Sequence, residues 1–400
     1  MLGCRSEVCR MNVNRREFVK SGAALTAASQ ARILGANDRI RIAGLGTGGR
    51  CRYLLSLANK IGGCEIIALC DVYTPRRAEA REKLAPQSRE YSEYREVLDR
   101  KDIDAVVIGS PDHWHVPMSI DAVRAGKDVY VEKPVSHKPD EGPRLIQAVE
   151  QSRRILQVGY QQRSWDIFQI GCDLVRTGKL GKVTMAESHW YQDYIRNFGR
   201  MSDVDTSQLD WKRFLGNAND QPFNQRRFLQ WRWYWDFGGG ALTDLHSHWG
   251  DVIHWYMQEE RPLAATAVGS SQYHKYWDCP DTITAAWQYP TYSASYNGTL
   301  IGHLEGGTLV FRGTDAMLKI TREGLALYPE GVLRAEQTSY PEPLVAERAK
   351  GDGTLDHMRN FLDCVRSRKQ PNSDVRSAVA SAQAAHMANQ AFRTSSVVRA

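Results

Sequence analysis

Arg39-Ile-Arg-Ile-Ala-Gly44-Leu-Gly46-Thr47-Gly48-Gly49-Arg50, with Glu65-Ile-Ile-Ala-Leu-Cys70-Asp71 further on, decides the reading of this chain. Arg39 to Leu45 is a short apolar run, as a buried strand requires. It enters Gly44-x-Gly46-x-x-Gly49 and then a helical stretch over 50–60. Glycines in such a turn permit the tight bend, let backbone approach a pyrophosphate, and let helix and strand pack closely. The helix N-terminus offers free N–H groups and partial positive charge to phosphate. Asp71 ends a second strand 22 residues past Gly49 (71 − 49), where an acid binds a ribose 2′-OH. A bare glycine motif also occurs in unrelated α/β turns. Strand, glycines, helix, second strand and terminal acid in order predict a dinucleotide site.

Around this unit the bulk properties are ordinary. With 400 residues, 42% hydrophobic and 24% charged, the chain reads as globular and too long for one core, so two domains are expected. The net charge of +6 is half accounted for by residues 1–31, where five basic and two acidic side chains leave +3. No basic block with interleaved aromatics appears, which argues against nucleic acid. No apolar run reaches 18 residues, so no membrane span is expected.

Asn14-Arg15-Arg16-Glu17-Phe18-Val19-Lys20 precedes a weakly apolar stretch, Ser21 to Ala28. Paired arginines before such a stretch resemble a twin-arginine export signal, with Ser29-Gln30-Ala31 as the small-x-small cleavage site. The expectation is a signal over 1–31, a twin-arginine translocase as transient partner, and a periplasmic location. That route carries folded proteins, which suits a protein that acquires its nucleotide first. Cys51, Cys64, Cys70, Cys172, Cys279 and Cys364 show no CxxC and no regular spacing, so neither a disulfide framework nor a cysteine zinc site is expected.

Strand and helix keep alternating beyond Asp71. Helices are predicted over 74–84, 94–100, 116–125 and 139–153, and strands over 104–108, 128–131 and 155–158. Ligands gather at the carboxyl ends of parallel strands. Loops 44–50, 71–76, 109–115 and 132–134 should therefore converge on one site.

At this point the motifs become specific as a set. The glycine motif, Asp71, Ser110-Pro111-Asp112-His113-Trp114-His115 and Glu132-Lys133-Pro134 occur in order at matching spacing. Together they resemble the glucose–fructose oxidoreductase, inositol dehydrogenase and rhizopine-catabolism (Gfo/Idh/MocA) family, from about residue 38 to the C-terminus. The resemblance implies an α/β N-terminal Rossmann domain, over 38–159, binding NAD. It also implies an α+β C-terminal domain with a large, mostly antiparallel open sheet, over 160–354. That sheet is expected to face the nicotinamide and to mediate homo-oligomers. C-terminal helices over 355–400 should pack back on both domains. Gly44, Gly46, Thr47, Gly48 and Gly49 would surround the pyrophosphate, and Asp71 would take the adenosine ribose. Ser110, Asp112, His113, Trp114, His115, Glu132, Lys133 and Gln161 would line the cofactor. Lys133 would also be the family's catalytic lysine. A carboxylate at Asp71 repels a 2′-phosphate, so NAD is preferred over NADP, although Arg76 and Arg77 lie close behind.

Tyr160-Gln161-Gln162-Arg163 follows the last strand of the first domain and should enter the cleft. Residues 191–237 are dense in aromatics, above all Trp231-Arg-Trp-Tyr-Trp235. Aromatic faces beside polar groups suit sugar rings, and core packing explains any single one of them equally well. Tyr160, Arg163, Trp235 and His246 are the substrate-binding candidates. Gly238-Gly239-Gly240-Ala-Leu-Thr-Asp244-Leu-His246-Ser-His248 opens a helix running to about Met257. Asp244 and His248 are four apart and share a helical face. A carboxylate beside an imidazole fixes its tautomer and raises its basicity, as a general base for a secondary alcohol needs. The pattern resembles the inositol dehydrogenase arrangement, which implies a set of Lys133, Asp244 and His248. His248 takes the hydroxyl proton, Lys133 steadies the oxygen, and Asp244 orients His248. The pairs His113/His115 and His246/His248 open a metal-site alternative. Alternate residues on a helix diverge, so no metal is expected. Beyond Glu260 six period-two strands are expected up to Tyr328, then a polar loop over 334–352 and two helices over 355–368 and 374–392.

The leading expectation is an exported NAD-dependent oxidoreductase acting on a secondary hydroxyl of a sugar, glycoside or cyclitol. One alternative is a glycoside-cleaving enzyme that oxidises its substrate only transiently with tightly held NAD. Another is a non-catalytic sugar-binding member of the family.

Overall fold

The computed structural model describes residues 39–194, 203–331 and 340–400. The expected export signal lies outside them. The first sheet consists of β1 (Ile40–Leu45), β2 (Cys64–Cys70), β3 (Arg89–Tyr91), β4 (Ala105–Ile108), β5 (Asp128–Val131) and β6 (Leu156–Val158). All pairs are parallel, in the order β3-β2-β1-β4-β5-β6. The central strands are buried throughout and apolar, as a sheet covered on both faces demands. Helices α1 (Gly49–Ile61), α2 (Thr74–Leu84), α3 (Tyr94–Leu98), α4 (His115–Arg124) and α5 (Glu141–Ser152) make the crossovers. The chain leaves β1 toward β2 on one side and later returns to β4 on the other. A crevice opens at such a reversal, outside the strands' carboxyl ends.

The second sheet is built on α6 (Asp166–Arg176), which precedes β7 (Met185–Tyr191). Short helices α7 (Trp211–Leu215) and α8 (Gln225–Leu229) follow, then a π-helical turn at Leu242–His246 and α9 (Ser247–Met257). Next come β8 (Ala264–Ser270), β9 (Thr282–Gln288), β10 (Ser293–Thr299), β11 (Gly307–Arg312), β12 (Ala316–Thr321), β13 (Gly324–Pro329) and β14 (Val345–Arg348). Helices α10 (Thr354–Ser367) and α11 (Val375–Thr394) precede β15 (Val398–Arg399). The nine strands run β14-β13-β12-β11-β7-β10-β9-β8-β15, antiparallel except for β7 beside β10. Alternating burial along β9 and β10 leaves one face open and one covered. The covered face joins Phe168 of α6, Tyr256 of α9 and Ala384 and Ala388 of α11 in one apolar core.

Three strands escaped the sequence reading. β3 and β15 are too short and polar to show a period, and β14 interrupts the expected 334–352 loop. The C-terminal helices divide their work. Met358, Phe361 and Leu362 of α10 join the first domain's core with residues of β1 and α1, and Phe361 meets the Tyr130 ring of β5. Helix α11 gives Val375, Ala378 and Val379 to the first domain's core and Ala384 and Ala388 to the second's. The six cysteines are free, and no described helix is long and apolar enough to cross a membrane.

Candidate active site

The crevice holds about 420 Å³ of free volume over β1, β2 and β4. It continues into a second space of about 440 Å³ toward the π turn. Arg50, Gly109, Ser110, Trp231 and Arg232 line both, so the two halves form one cleft.

Gly46, Gly48, Gly49, Asp71, Ser110 and Trp114 line the first half. Gly46 sits at φ +73°, and a Cβ there would lie 2.7 Å from the Ser110 backbone, so only glycine fits. A Cβ on Gly48 or Gly49 would meet no protein atom within 4 Å. That space lies before the uncapped N-terminus of α1, where a pyrophosphate would be held by free N–H groups. The Asp71 carboxylate accepts from the Tyr73 N–H at 2.9 Å and the Thr47 hydroxyl at 3.5 Å. Burial pushes its carboxyl up, against the pull of Arg76. Arg77 donates to the Asp71 carbonyl at 2.8 Å, while Arg76 lies over the Phe228 ring at 4.5 Å. The donor set fits a dinucleotide.

A segment of the second domain lies across this half. Asp210 N–H donates to the Val72 carbonyl at 2.9 Å, and Arg213 pairs with Glu93 at 3.3 Å. The Phe214 carbonyl accepts from Trp114 Nε1 at 2.9 Å and from His113 Nε2 at 2.8 Å. Gly216, at φ +56°, presses on Trp114, and a Cβ there would come within 2.4 Å of the ring. The aromatic-rich stretch thus straps the nucleotide groove.

Ser110, Asp112, His115, Glu132, Lys133, Gln161, Asp244 and His248 line the second half. Lys133 comes from the loop after β5, and Asp244 and His248 from the other domain. The Lys133 ammonium donates to the Asp244 carboxylate at 2.9 Å and to its backbone carbonyl at 2.5 Å. A widened π turn splays carbonyls from the helical ladder, which leaves this one for the lysine. Arg232 and the Tyr194 hydroxyl reach the same carboxylate at 3.2 and 3.3 Å. Burial alone would raise the Asp244 carboxyl, but Lys133 and Arg232 outweigh it and hold it well below the usual carboxylate range. Burial pushes Asp112 well up, and neighbouring Asp244 pushes it further, against the pull of Arg232 and Lys133.

The expected role of Asp244 needs correction. With its carboxylate taken by Lys133, Arg232 and Tyr194, it is not the hydrogen-bond partner of His248. That partner is Gln162, whose Oε1 lies 3.2 Å from His248 Nδ1. The π turn changes the helical phase on which the shared-face expectation rested. Nδ1 as donor to Gln162 leaves the Nε2 lone pair as the basic site. Burial, then Lys133, Arg322 and Arg50, hold the His248 pKa well below the ordinary histidine value. The imidazole is therefore neutral at pH 7, as a proton acceptor must be.

Seven other candidates do not line the cleft. Gly44 is packed between β1 and α1, and Thr47 is fully buried beneath Asp71. His113 sits under the strap, ringed by Phe214, Phe237 and His137, where burial pushes its pKa down to about 3. Tyr160 is buried in the first domain's core. Arg163 is spent on buried Asp251, at 2.8 and 2.9 Å. Trp235 carries Arg393 over its ring at 5.2 Å. His246 stacks on Trp287 at 4.3 Å. The tight turn over Gln161–Ser164 explains the split, sending Gln161 to the cleft and its neighbours inward. His246 and His248 diverge, and the described residues hold no cluster of three or more potential metal ligands. Tyr194, Arg232, Trp190, Gln192 and Arg322 were not among the candidates, and Gln162 stood only inside the Tyr160–Arg163 run expected to enter the cleft. Gln192, Tyr194 and Arg232 lie within the aromatic-dense 191–237 stretch.

Known proteins share this architecture. Residues 39–160 match the model of an oxidoreductase family with an NAD-binding Rossmann fold, and 213–319 match the GFO/IDH/MocA C-terminal domain. Inositol 2-dehydrogenase of Salmonella paratyphi B is 28% identical over 140 residues, 35% of this chain and 42% of the relative. Alpha-N-acetylgalactosaminidase of Shewanella oneidensis is 25% identical over 239 residues, 51% of this chain and 50% of the relative. The matches therefore span half or less of these curated relatives. Levoglucosan dehydrogenase, solved with NADH and levoglucosan, shares the fold at a TM-score of 0.71 and 18% identity, over 90% of this chain and 99% of that one. Two models of one family, side by side over more than half of the 400 residues, show that the chain belongs to the Gfo/Idh/MocA oxidoreductase family, with an NAD-binding Rossmann domain.

Proposed function

We propose that this protein oxidises a secondary hydroxyl of a sugar, glycoside or cyclitol. The carrying observation is that Lys133 and His248, from different domains, line one cleft continuous with the nucleotide groove. When bound, NAD supplies the acceptor for a hydride from the carbinol carbon. His248 Nε2 accepts the hydroxyl proton as the C–H bond breaks, with Gln162 holding Nδ1–H. The Lys133 ammonium, fixed by Asp244, stabilises negative charge growing on the oxygen. Asp244 positions Lys133, and Arg232 shares that carboxylate. Asp112, its carboxyl pushed up by burial, lines the same space.

The strap across the nucleotide groove favours a second form of this chemistry, in which NAD stays bound. The ketone formed by oxidation acidifies the neighbouring C–H. Loss of that proton expels the aglycone, water adds, and hydride returns. The glycoside is cleaved with no net redox change. Likeness to an alpha-N-acetylgalactosaminidase supports this form, and likeness to an inositol 2-dehydrogenase supports net oxidation. Incubating purified protein with a panel of sugars and aryl glycosides separates them. NADH accumulation marks the dehydrogenase, and aglycone release without added NAD marks the transient form. Neither response across the panel refutes the reading. Export belongs to the proposal on the strength of Arg15-Arg16 and is tested by fractionating cells with and without a twin-arginine translocase. Self-association through the open face of the nine-stranded sheet is tested by sedimentation.

A further inference from the structure

Positive charge in the substrate half of the cleft exceeds what its carboxylates cancel. Arg50 pairs with Glu132 at 2.7 Å. Lys133 and Arg232 share Asp244 at 2.9 and 3.2 Å. Burial pushes the Asp112 carboxyl well up. A fourth cation of this space is Arg322, in the turn between β12 and β13. Its guanidinium lies 5.8 Å from the ring centroids of both Trp165 and Trp190. Among the described residues it has neither a hydrogen bond nor an ion pair. Asp352, the carboxylate that acts on it most strongly, is taken by the Tyr53 hydroxyl at 2.9 Å and the Thr354 N–H at 3.0 Å. Arg322 nonetheless lines the same space as Lys133 and His248, and it contributes to the depression of the His248 pKa.

A half-buried guanidinium with no hydrogen-bond acceptor among the described residues leaves its donors unsatisfied unless something supplies one. Its planar fork matches a carboxylate bidentately, and two indoles restrict where that fork can turn. An open fork with no acceptor of its own is filled by one bidentate carboxylate. We infer that Arg322 is a specificity residue that receives the carboxylate of a sugar acid, so that the substrates are uronic acids or their glycosides. The inference rests on the sugar-oxidation reading and narrows it. The carboxylate meets Arg322 while a ring hydroxyl of the same molecule meets Lys133 and His248. No bond changes at the carboxylate, so oxidation proceeds as above.

The test is binding to the NAD-loaded full chain, followed by tryptophan fluorescence and calorimetry, because Trp165 and Trp190 flank the site. The probes are glucuronate and galacturonate, glucose and galactose, and glucose 6-phosphate. The uronates are expected to bind tighter than the neutral sugars by about ten- to a hundred-fold, the span of one charge-assisted contact. Arg322→Met should erase that difference. Arg322→Lys should retain part of it, since a point charge replaces the fork, and this variant guards against loss of folding in the first. Equal affinity for acids and neutral sugars, preference for the phosphate, or a uronate preference that survives Arg322→Met would overturn the inference alone. Binding of no sugar of any kind would overturn the sugar reading with it.

Discussion

Lys133→Met tests the centre of the proposal. The lysine sits 2.9 Å from the Asp244 carboxylate, a gross attraction of about 6 kcal/mol at an effective dielectric near 20. Arg232, at 3.2 Å, supplies about 5 kcal/mol on the same scale and remains in the variant. Asp244 is therefore not stranded, and the stability loss should stay near 1–3 kcal/mol, under the cost of an orphaned buried charge. Catalysis has no such reserve, because the lost ammonium faces the reacting oxygen. Turnover should fall by about 10²–10³, the usual effect of deleting one donor at a developing oxyanion. The variant should also move the acid limb of its pH profile. Lys133 is one of the cations that hold the His248 pKa down, so its loss raises that pKa and shifts the limb upward. Single-turnover absorbance at 340 nm across pH, with NAD content measured on the same samples, reads all three effects. A variant that keeps NAD and turns over within threefold of the parent refutes the catalytic assignment. An acid limb that stays in place refutes the link to His248.

His248→Gln should lose about 10²–10⁴ in turnover, the range for a missing general base, with NAD retention unchanged by fluorescence. Gly216→Ala forces a Cβ to within 2.4 Å of the Trp114 ring, so the strap must lift, and stopped-flow dilution should show NAD leaving faster than from the parent. Acid stability follows from six buried histidines. Burial pushes His113, His246 and His254 down to about 3, and His137, His357 and His386 to about 4. Their folded values lie below the unfolded one, so the unfolded chain binds more protons once pH drops below about 6.5. The stability they contribute is complete above that pH and is lost as pH falls toward 4, at up to about 1.4 kcal/mol per pH unit for each group. Calorimetric Tm between pH 7 and 4 should fall steeply, and a flat profile would contradict the neutral burial of these rings.

What the sequence revealed depends on how local each signal was. The Rossmann half was legible because glycine spacing, apolar runs and Asp71 all act within one βαβ unit. Lys133 was legible through its neighbours Glu132 and Pro134. Tyr160, Arg163, Trp235 and His246 were chosen for residue type near a motif, and type does not tell which way a side chain turns. Arg163 and Trp235 illustrate this, one facing Asp251 and the other Arg393, each partner far away in sequence. The run holding Gln162 was expected in the cleft, but its partner was not legible, since it meets His248 across 86 residues. The π turn defeated the helix-face argument, because nothing in Leu242–His246 marks the extra residue in that turn.

Helix α11 runs unbroken for 20 residues and belongs to both cores at once. A rod set into both halves denies them the freedom to swing apart as bodies. Peeling the segment around Phe214 away from Trp114 and Val72 then opens the nucleotide groove. Exchange of cofactor becomes a local melting event, resisted by the Asp210–Val72 and Trp114–Phe214 hydrogen bonds and one glycine seated against an indole.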